Sequence, residues 1–219
     1  MSSYTKRVVM SVLGVVICGL SVGMFKHAAF GVDPFQALMS GLDAVIPIRF
    51  GTLYVIVNLL LLAFSLVMDR RKIGLATFIN LFLLGYVVEF SQAQCQRLFP
   101  APGIGVRAVL LLAGLVILSL ASALYFTADL GVSTYDAVAL VWSERQTRIP
   151  FQLCRIITDS ACVIAGAALC LLAGMGVKQI LGSVGIGTVI TAFFMGPLIA
   201  FFNRTVAWPL LKETAKEMP

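Results

Sequence analysis

Long uncharged apolar runs are the feature that most limits how this chain can fold. A helix needs about 20 apolar residues to cross a bilayer. Six stretches of the sequence reach or approach that length, and all are uncharged except 149–177, which carries Arg155 and Asp159. The chain is 60% hydrophobic and only 12% charged, which excludes an ordinary soluble domain. We therefore expect an all-α polytopic membrane protein. The predicted spans are residues 8–25, 50–68, 73–88, 108–128, 149–177 and 179–203.

A short motif occurs twice in the chain. The first copy, GVDPFQAL, begins at Gly31, and the second, GVSTYDAV, begins at Gly131. Asp33 and Ser133, third in each copy, are residue types that cap helix N-termini. Pro34 suits the first helical position, where its missing N–H would have no partner. Each copy therefore predicts a loop that opens a short helix, and we expect both glycines to need a positive φ or a close helix neighbour.

Each motif also contains a side chain that approximates a capping box. Gln36 and Asp136 stand three residues after their caps, where they can satisfy a free backbone donor. The short helices are predicted at residues 34–46 and 134–143. The first would be about 20 Å long, which is less than the ~30 Å hydrocarbon core. We expect both helices to be half-spanning, re-entrant or interfacial.

The repeat extends along most of the chain. Small and polar residues recur in register, with an offset of 100 before the motif and 111 near the end, and gaps fall only in loops. Matching pairs include Gly14 with Gly114, Asn58 with Asp159 and Thr77 with Thr188. This self-similarity predicts one membrane domain, 1–219, built from repeats 8–92 and 108–203. Because each repeat has three spans, an odd number, the second would be inverted.

The net charge of +6 is better explained by membrane orientation than by nucleic-acid binding, because Lys and Arg stand at span ends. With six spans, ten basic residues fall on the side of the N-terminus and five on the other side. We therefore expect both termini in the cytoplasm. An eight-span arrangement, in which both short helices cross, gives the same counts, and the length of those helices favours six.

Polar residues at equivalent positions of the two repeats are the candidate solute-binding residues. Inverted repeats place such positions on either side of a pseudo-two-fold axis near the midplane, and helix N-termini favour anions. The alternative is that the motif residues only cap their own helices. The candidates are Asp33, Gln36, Asn58, Thr77, Asn80, Ser133, Asp136, Arg155, Asp159, Thr188 and Thr191. Gly31, Pro34 and Gly131 are assigned structural roles.

Arg155 and Asp159 allow two interpretations. They are four residues apart, so they lie on one face of a helix. Charges inside a membrane are costly and usually face protein or water. The pair can simply neutralise itself, or it can serve as a charge relay or a substrate contact.

Other classes of function have little support in the sequence. No Ser/His/Asp set, metal cluster or phosphate loop is present, and the five cysteines form no CxxC pair or Cys/His cluster. We therefore expect no enzyme activity, cofactor or metal. Residues 19–23 form a GxxxG motif, for which packing within the chain and a homodimer face are the two interpretations.

Three stretches carry a family resemblance: the motif at 31–38, the span start Phe50-Gly51-Thr52, and the charged loop and span start at 69–77. On these stretches the chain resembles the YczE/YitT-type bacterial integral membrane proteins over nearly its whole length. The resemblance implies the bacterial cytoplasmic (inner) membrane. It implies no particular activity and no binding residues, and the second repeat departs from it at 133–134.

The leading hypothesis is a small-solute transporter with its site between the repeats. Two helix N-termini, amide donors and a carboxylate balanced by Arg155 suit a zwitterionic or weakly anionic metabolite. One alternative is a substrate-binding membrane subunit of a multi-component uptake system, and another is a non-transporting scaffold. Polar residues that converge on an enclosed cavity would favour the first two, and a dry, solid interior would favour the scaffold.

Overall fold

The computed structural model describes residues 3–68, 73–145 and 151–212. The structure is 86% helix, and those ranges contain no strand, which confirms the all-α prediction for them. The helices are α1 (Ser3–Ala28), α2 (Pro34–Val45), α3 (Phe50–Met68), α4 (Leu75–Leu98), α5 (Ile104–Ala128), α6 (Thr134–Arg145), α7 (Phe151–Leu172), α8 (Val177–Ser183), α9 (Ile186–Phe202) and α10 (Trp208–Lys212), with a π-helical turn at Asn203–Ala207 before α10.

Within the described ranges, four helices are long and apolar enough to cross a membrane, namely α1, α3, α4 and α5. The segments Val177–Thr191 and Phe193–Leu211, bent by 51° relative to each other, together meet the same criterion as a fifth span. Large apolar side chains on these helices face outward. Leu60, Val67 and Ile104 are 68%, 77% and 78% exposed. Apolar exposure of this extent indicates a protein embedded in a lipid bilayer.

Helices α1 and α5 lie antiparallel, and each begins beside the end of the other. The Arg7 guanidinium in the first turns of α1 donates to the Ala128 carbonyl at the end of α5, at 2.9 Å. Arg107 near the start of α5 donates to the carbonyls of Ala28 and Ala29 at the end of α1, both at 2.5 Å. These contacts define two ends of the helix bundle, which we call the Arg7 end and the Arg107 end.

Small residues bring α1 and α5 close together in the middle of the pair. A Cβ on Gly14 would lie 2.9 Å from the Ala121 carbonyl and 3.1 Å from the Cβ of Tyr125. A Cβ on Gly114 would lie 3.0 Å from the Phe25 ring. Such close approach lets backbones pack in lipid, where van der Waals contact drives association.

The remaining long helices of the first half alternate in direction. The Lys26 ammonium lies 3.3 Å from the centroid of the Phe50 ring, so α3 begins at the Arg107 end. Helix α4 begins at the Arg7 end, next to the chain that follows α5, because Ala76 N donates to Leu130 O at 2.9 Å. It ends at the Arg107 end, where Phe99 O accepts from His27 Nε2 at 2.9 Å.

The GxxxG glycines pack within the chain. A Cβ on Gly19 would lie 2.7 Å from Val87 of α4, and a Cβ on Gly23 would overlap the Ser91 side chain of the same helix. Ser91 Oγ also donates to Leu20 O at 2.7 Å. Helix α4 therefore covers this face of α1, which supports the packing interpretation of the motif.

Candidate functional site

The loop before α2 is attached to the segment that opens α9. Gly31 has a φ of +110°, and a Cβ there would lie 2.6 Å from both Gly185 N and Thr188 Oγ1. Gly31 N donates to Gly182 O at 2.9 Å, and Val32 N donates to Ser183 O at 3.1 Å. Only glycine fits the space at position 31. The segment that the loop packs against lies more than 150 residues further along the chain.

The loop before α6 is attached in the same manner to the start of α4. Gly131 also has a φ of +110°, and its Cβ would lie 2.5 Å from Gly74 N and 2.8 Å from Thr77 Oγ1. Thr77 Oγ1 donates to Val132 O at 2.6 Å and accepts from Gly74 N at 3.2 Å. Each short-helix loop therefore lies on the first turn of a long helix from the other half of the chain.

These contacts place the predicted threonines at helix starts. Thr188 Oγ1 accepts from Gly185 N at 3.3 Å, as Thr77 does from Gly74 N. Thr191 Oγ1 donates to Thr188 O at 3.0 Å. The hydroxyls of Thr77, Thr188 and Thr191 are thus engaged with backbone groups at the junctions.

Asp33 and Ser133 cap the two short helices as the motif predicts, whereas the predicted capping-box role of Gln36 is wrong, because its Oε1 has no hydrogen-bond partner among the described residues. Asp33 Oδ1 accepts from Gln36 N at 3.1 Å, with Pro34 at the first helical position. Ser133 Oγ accepts from Asp136 N at 3.1 Å and donates to Asp136 Oδ2 at 2.6 Å. Helices α2 and α6 begin at the predicted residues and have 12 residues each, about 18 Å of helix.

The first turns of α2 and α6 meet in the interior. The rings of Phe35 and Tyr135, which occupy the same position in the two motif copies, stack with centroids 4.9 Å apart and an interplanar angle of 20°. Tyr54 packs edge-on against Phe35, with centroids 5.9 Å apart. The two copies of the motif therefore contact each other directly through equivalent side chains.

Three predicted polar residues lie around this aromatic contact. Asn58 accepts from the Thr134 hydroxyl and donates to Tyr54 O at 2.8 Å. Asp159 Oδ1 accepts from the Tyr135 hydroxyl at 2.5 Å. Asn80 Oδ1 accepts from the Tyr54 hydroxyl at 3.3 Å. The side chain of Arg155 is not among those that the structure describes. Its predicted pairing with Asp159 therefore stays a prediction.

Two polar atoms near the starts of the short helices are buried without a hydrogen-bond partner among the described residues. They are Gln36 Oε1 and the Tyr125 hydroxyl, whose residues are 2% and 6% exposed. Phe35 and Tyr135, in the first turns of α2 and α6, belong to one apolar cluster with Val15 of α1. The two helix starts thus converge beside the middle of α1.

Two clefts, each of about 450 Å³, lie among the described helices. The first is apolar and separates α6 from α3; it is lined by Phe64, Met68, Val138, Val141, Trp142 and Thr158. The second, which we call the Lys26 cleft, lies at the Arg107 end and is lined by Lys26, Ala29, Val32, Ser40, Asp43, Ala44, Gln92, Met175, Lys178, Gln179, Gly182 and Ser183. By contrast, α2 packs tightly on α7, where a Cβ on Gly41 would lie 2.5 Å from Gly166 O.

Comparison with known proteins assigns the chain to a family. The profile of a family of unknown function, DUF6198, matches residues 5–204. The chain belongs to the DUF6198 family. Its relatives include the uncharacterized protein YyaS of Bacillus subtilis (strain 168), 24% identical over 204 residues, which cover 93% of this chain and 96% of YyaS. An uncharacterized protein of Haemophilus influenzae is 24% identical over 192 residues, 87% of this chain and 80% of that protein. No solved structure gives a significant match.

Several residues that organise this DUF6198 chain were not among the sequence candidates. Arg7 and Arg107 are 100 residues apart. Arg7 donates to Ala128 O, and Arg107 donates to Ala28 O at the equivalent place in the other half. The offset of the repeat would have revealed this pair. Phe35 and Tyr135 stand within the motif copies, but their types gave no sign that they contact each other, because an aromatic residue in an apolar helix is usually a packing residue.

Proposed function

We propose that the protein is a small-solute transporter of six spans, rather than an enzyme, whose substrate site lies between two inverted repeats at the starts of α2 and α6. In this proposal α7 and α9 are the fifth and sixth spans, and α2 and α6 penetrate the membrane without crossing it. The proposed substrate is a zwitterionic or weakly anionic metabolite.

Exchanged contacts between the two halves support the inverted repeat. Arg7 contacts Ala128 while Arg107 contacts Ala28, and Gly31 packs on the start of α9 while Gly131 packs on the start of α4. A two-fold axis turns each such contact into the other. Equivalent residues of the two repeats contact each other where they lie close to such an axis, as Phe35 and Tyr135 do.

The observation that carries the transport proposal is that two of the buried polar atoms without a partner among the described residues, Gln36 Oε1 and the Tyr125 hydroxyl, lie near the starts of the short helices. A buried polar atom without a partner costs about 1–3 kcal/mol, so such atoms are rare and call for a specific explanation. A bound solute would satisfy both atoms. Discontinuous helices that start inside the membrane mark substrate sites in transporters built from inverted repeats.

The groups around these atoms support the proposed substrate class. The free backbone N–H groups at the N-termini of α2 and α6 favour a negatively charged group of the substrate. The carboxylates of Asp33 and Asp136 favour a positive group, and each is already engaged with its own helix start. A zwitterion offers one group to each kind of partner.

The proposed location of the protein in the membrane rests on the sequence. The excess of basic residues on the N-terminal side supports cytoplasmic termini. The resemblance to YczE/YitT-type proteins, which remains a prediction from sequence, supports the bacterial cytoplasmic membrane.

The proposal is tested by uptake into proteoliposomes that contain the purified protein. Isotope-labelled amino acids and small carboxylates are assayed with the wild type, Gln36→Met and Tyr125→Phe. We expect uptake of at least one solute by the wild type and a loss of about tenfold or more in each variant, the effect of one substrate hydrogen bond. Both variants should unfold no more easily than the wild type, because Gln36 Oε1 and the Tyr125 hydroxyl have no hydrogen-bond partner in the part of the chain that the structure describes.

The exposed residue Gln96 provides the control, and Gln96→Met should transport normally. Wild-type uptake by both Gln36→Met and Tyr125→Phe would contradict the proposed site. Binding of a solute without uptake by the wild type would instead favour a substrate-binding subunit.

A further inference from the structure

The Lys26 cleft has the size and lining of a small-molecule site separate from the buried centre. Its volume of about 450 Å³ lies within the range of roughly 300–1,000 Å³ that is usual for ligand sites. Apolar residues such as Ala29, Val32 and Ala44 form part of its wall, and Ser40, Gln92 and Gln179 add hydrogen-bonding groups. An open cleft of this kind can hold a metabolite and orient it.

Charges of both signs line the cleft. Lys26 is held in place by the Phe50 ring, 3.3 Å from its ammonium. Lys178 is exposed and forms no ion pair with any other described residue. Asp43 supplies the carboxylate, whereas Glu89 is not a lining residue and is paired with Arg49 at 3.2 Å. The cleft therefore offers two ammonium groups and one carboxylate.

The cleft ends next to the proposed transport site. Val32 and Ser183 are among its lining residues and are joined by the hydrogen bond from Val32 N to Ser183 O. Asp33, the N-cap of α2, is the next residue in the chain. The hydrogen-bonded backbone segments at Val32 and Ser183 therefore lie between a solute in the cleft and the start of α2.

We propose that the Lys26 cleft binds an amino-acid-like zwitterion, whose carboxylate contacts Lys178 and Lys26 and whose ammonium contacts Asp43. The cleft is the vestibule that supplies the central site from the Arg107 end. The assignment of the bound zwitterion as the transported solute rests on the proposed function, whereas binding in the cleft does not.

Equilibrium binding to the purified protein in nanodiscs tests the proposal. Each of the common L-amino acids is used as a probe, and for every binder the corresponding amine without the carboxylate and acid without the ammonium are compared. We expect at least one amino acid to bind and both truncated analogues to bind at least about tenfold more weakly. Lys178→Gln and Asp43→Asn should each weaken binding to a similar extent, and Lys178→Arg should largely retain it.

Two controls are matched to these variants. Arg97→Gln removes an exposed cation at the same end, and Asp129→Asn removes an exposed carboxylate at the Arg7 end, where Asn tolerates the local φ of +52°. Neither should change binding. Lys178 and Asp43 are themselves exposed, so their variants should fold normally.

The outcomes separate this proposal from the proposed function. Failure of every amino acid to bind would overturn the cleft site, as would binding that Lys178→Gln and Asp43→Asn leave unchanged. If Gln36→Met abolishes uptake but leaves binding intact, both proposals are supported. If binding depends on Lys178 and Asp43 while no solute is transported, the cleft site stands and the transport function fails.

Discussion

Gly31 and Gly131 are each fixed by two independent constraints. A φ of +110° is accessible to glycine and strained for any other residue. The space around each Cα is also filled, by the backbone of the Gly185 or Gly74 segment. The sequence could predict these glycines from the motif, because both constraints arise at a tight loop. It could not predict the segments that fill the space, since these are distant in the chain.

We expect Gly31→Val and Gly131→Val to be strongly destabilising. The positive φ alone costs a non-glycine residue about 1–2 kcal/mol, and the overlap with backbone atoms adds to that. The measurement is denaturant unfolding of the purified protein in detergent. Gly103→Val is the matched control, because a Cβ at Gly103 meets nothing within 4 Å. Equal stability of all three variants would contradict this account.

The short helices α2 and α6 illustrate what can be predicted at the scale of an element. Both begin at the predicted residue, and their ends, Val45 and Arg145, lie within two residues of those predicted. Capping is local chemistry, so the sequence contains it. The hydrogen bonds that these helices make with other helices were harder to predict from the sequence. Asn58 and Asp159 were identified from the repeat, but their bonds to Thr134 and Tyr135 depend on how the helices cross.

The junction between the Gly131 loop and α4 should depend on the Thr77 hydroxyl. Thr77→Val would leave Gly74 N and Val132 O without their partner, at a cost of about 1–3 kcal/mol in unfolding free energy. Thr77→Ser keeps the hydroxyl and should cost clearly less. Thr205→Val, which removes an exposed hydroxyl bonded within its own helical segment, serves as the control. A Thr77→Val protein as stable as the control would exclude this role.

At the scale of the whole molecule, one contact bears directly on the number of spans. Lys26 at the end of α1 touches Phe50 at the start of α3, so the chain returns to the same end of the bundle after α2. A helix that crossed the membrane between them would place these residues on opposite sides. The sequence left six and eight spans open because charge counting gives the same result for both. The contact therefore counts against the eight-span alternative and is consistent with the proposed six spans.

The proposed six-span arrangement assigns the two ends of the bundle to opposite sides of the membrane, and it can be tested with a single thiol. Cys95 lies near the end of α4, at the Arg107 end, and Tyr4 lies in the first turn of α1 at the Arg7 end. With cytoplasmic termini, a variant retaining only Cys95 should react with a membrane-impermeant maleimide in intact cells. A variant with Tyr4→Cys as its sole cysteine should react only after lysis, because Tyr4 is 60% exposed and would face the cytoplasm in the proposed topology. An eight-span chain places Cys95 on the cytoplasmic side, so protection of Cys95 in intact cells would refute the six-span topology.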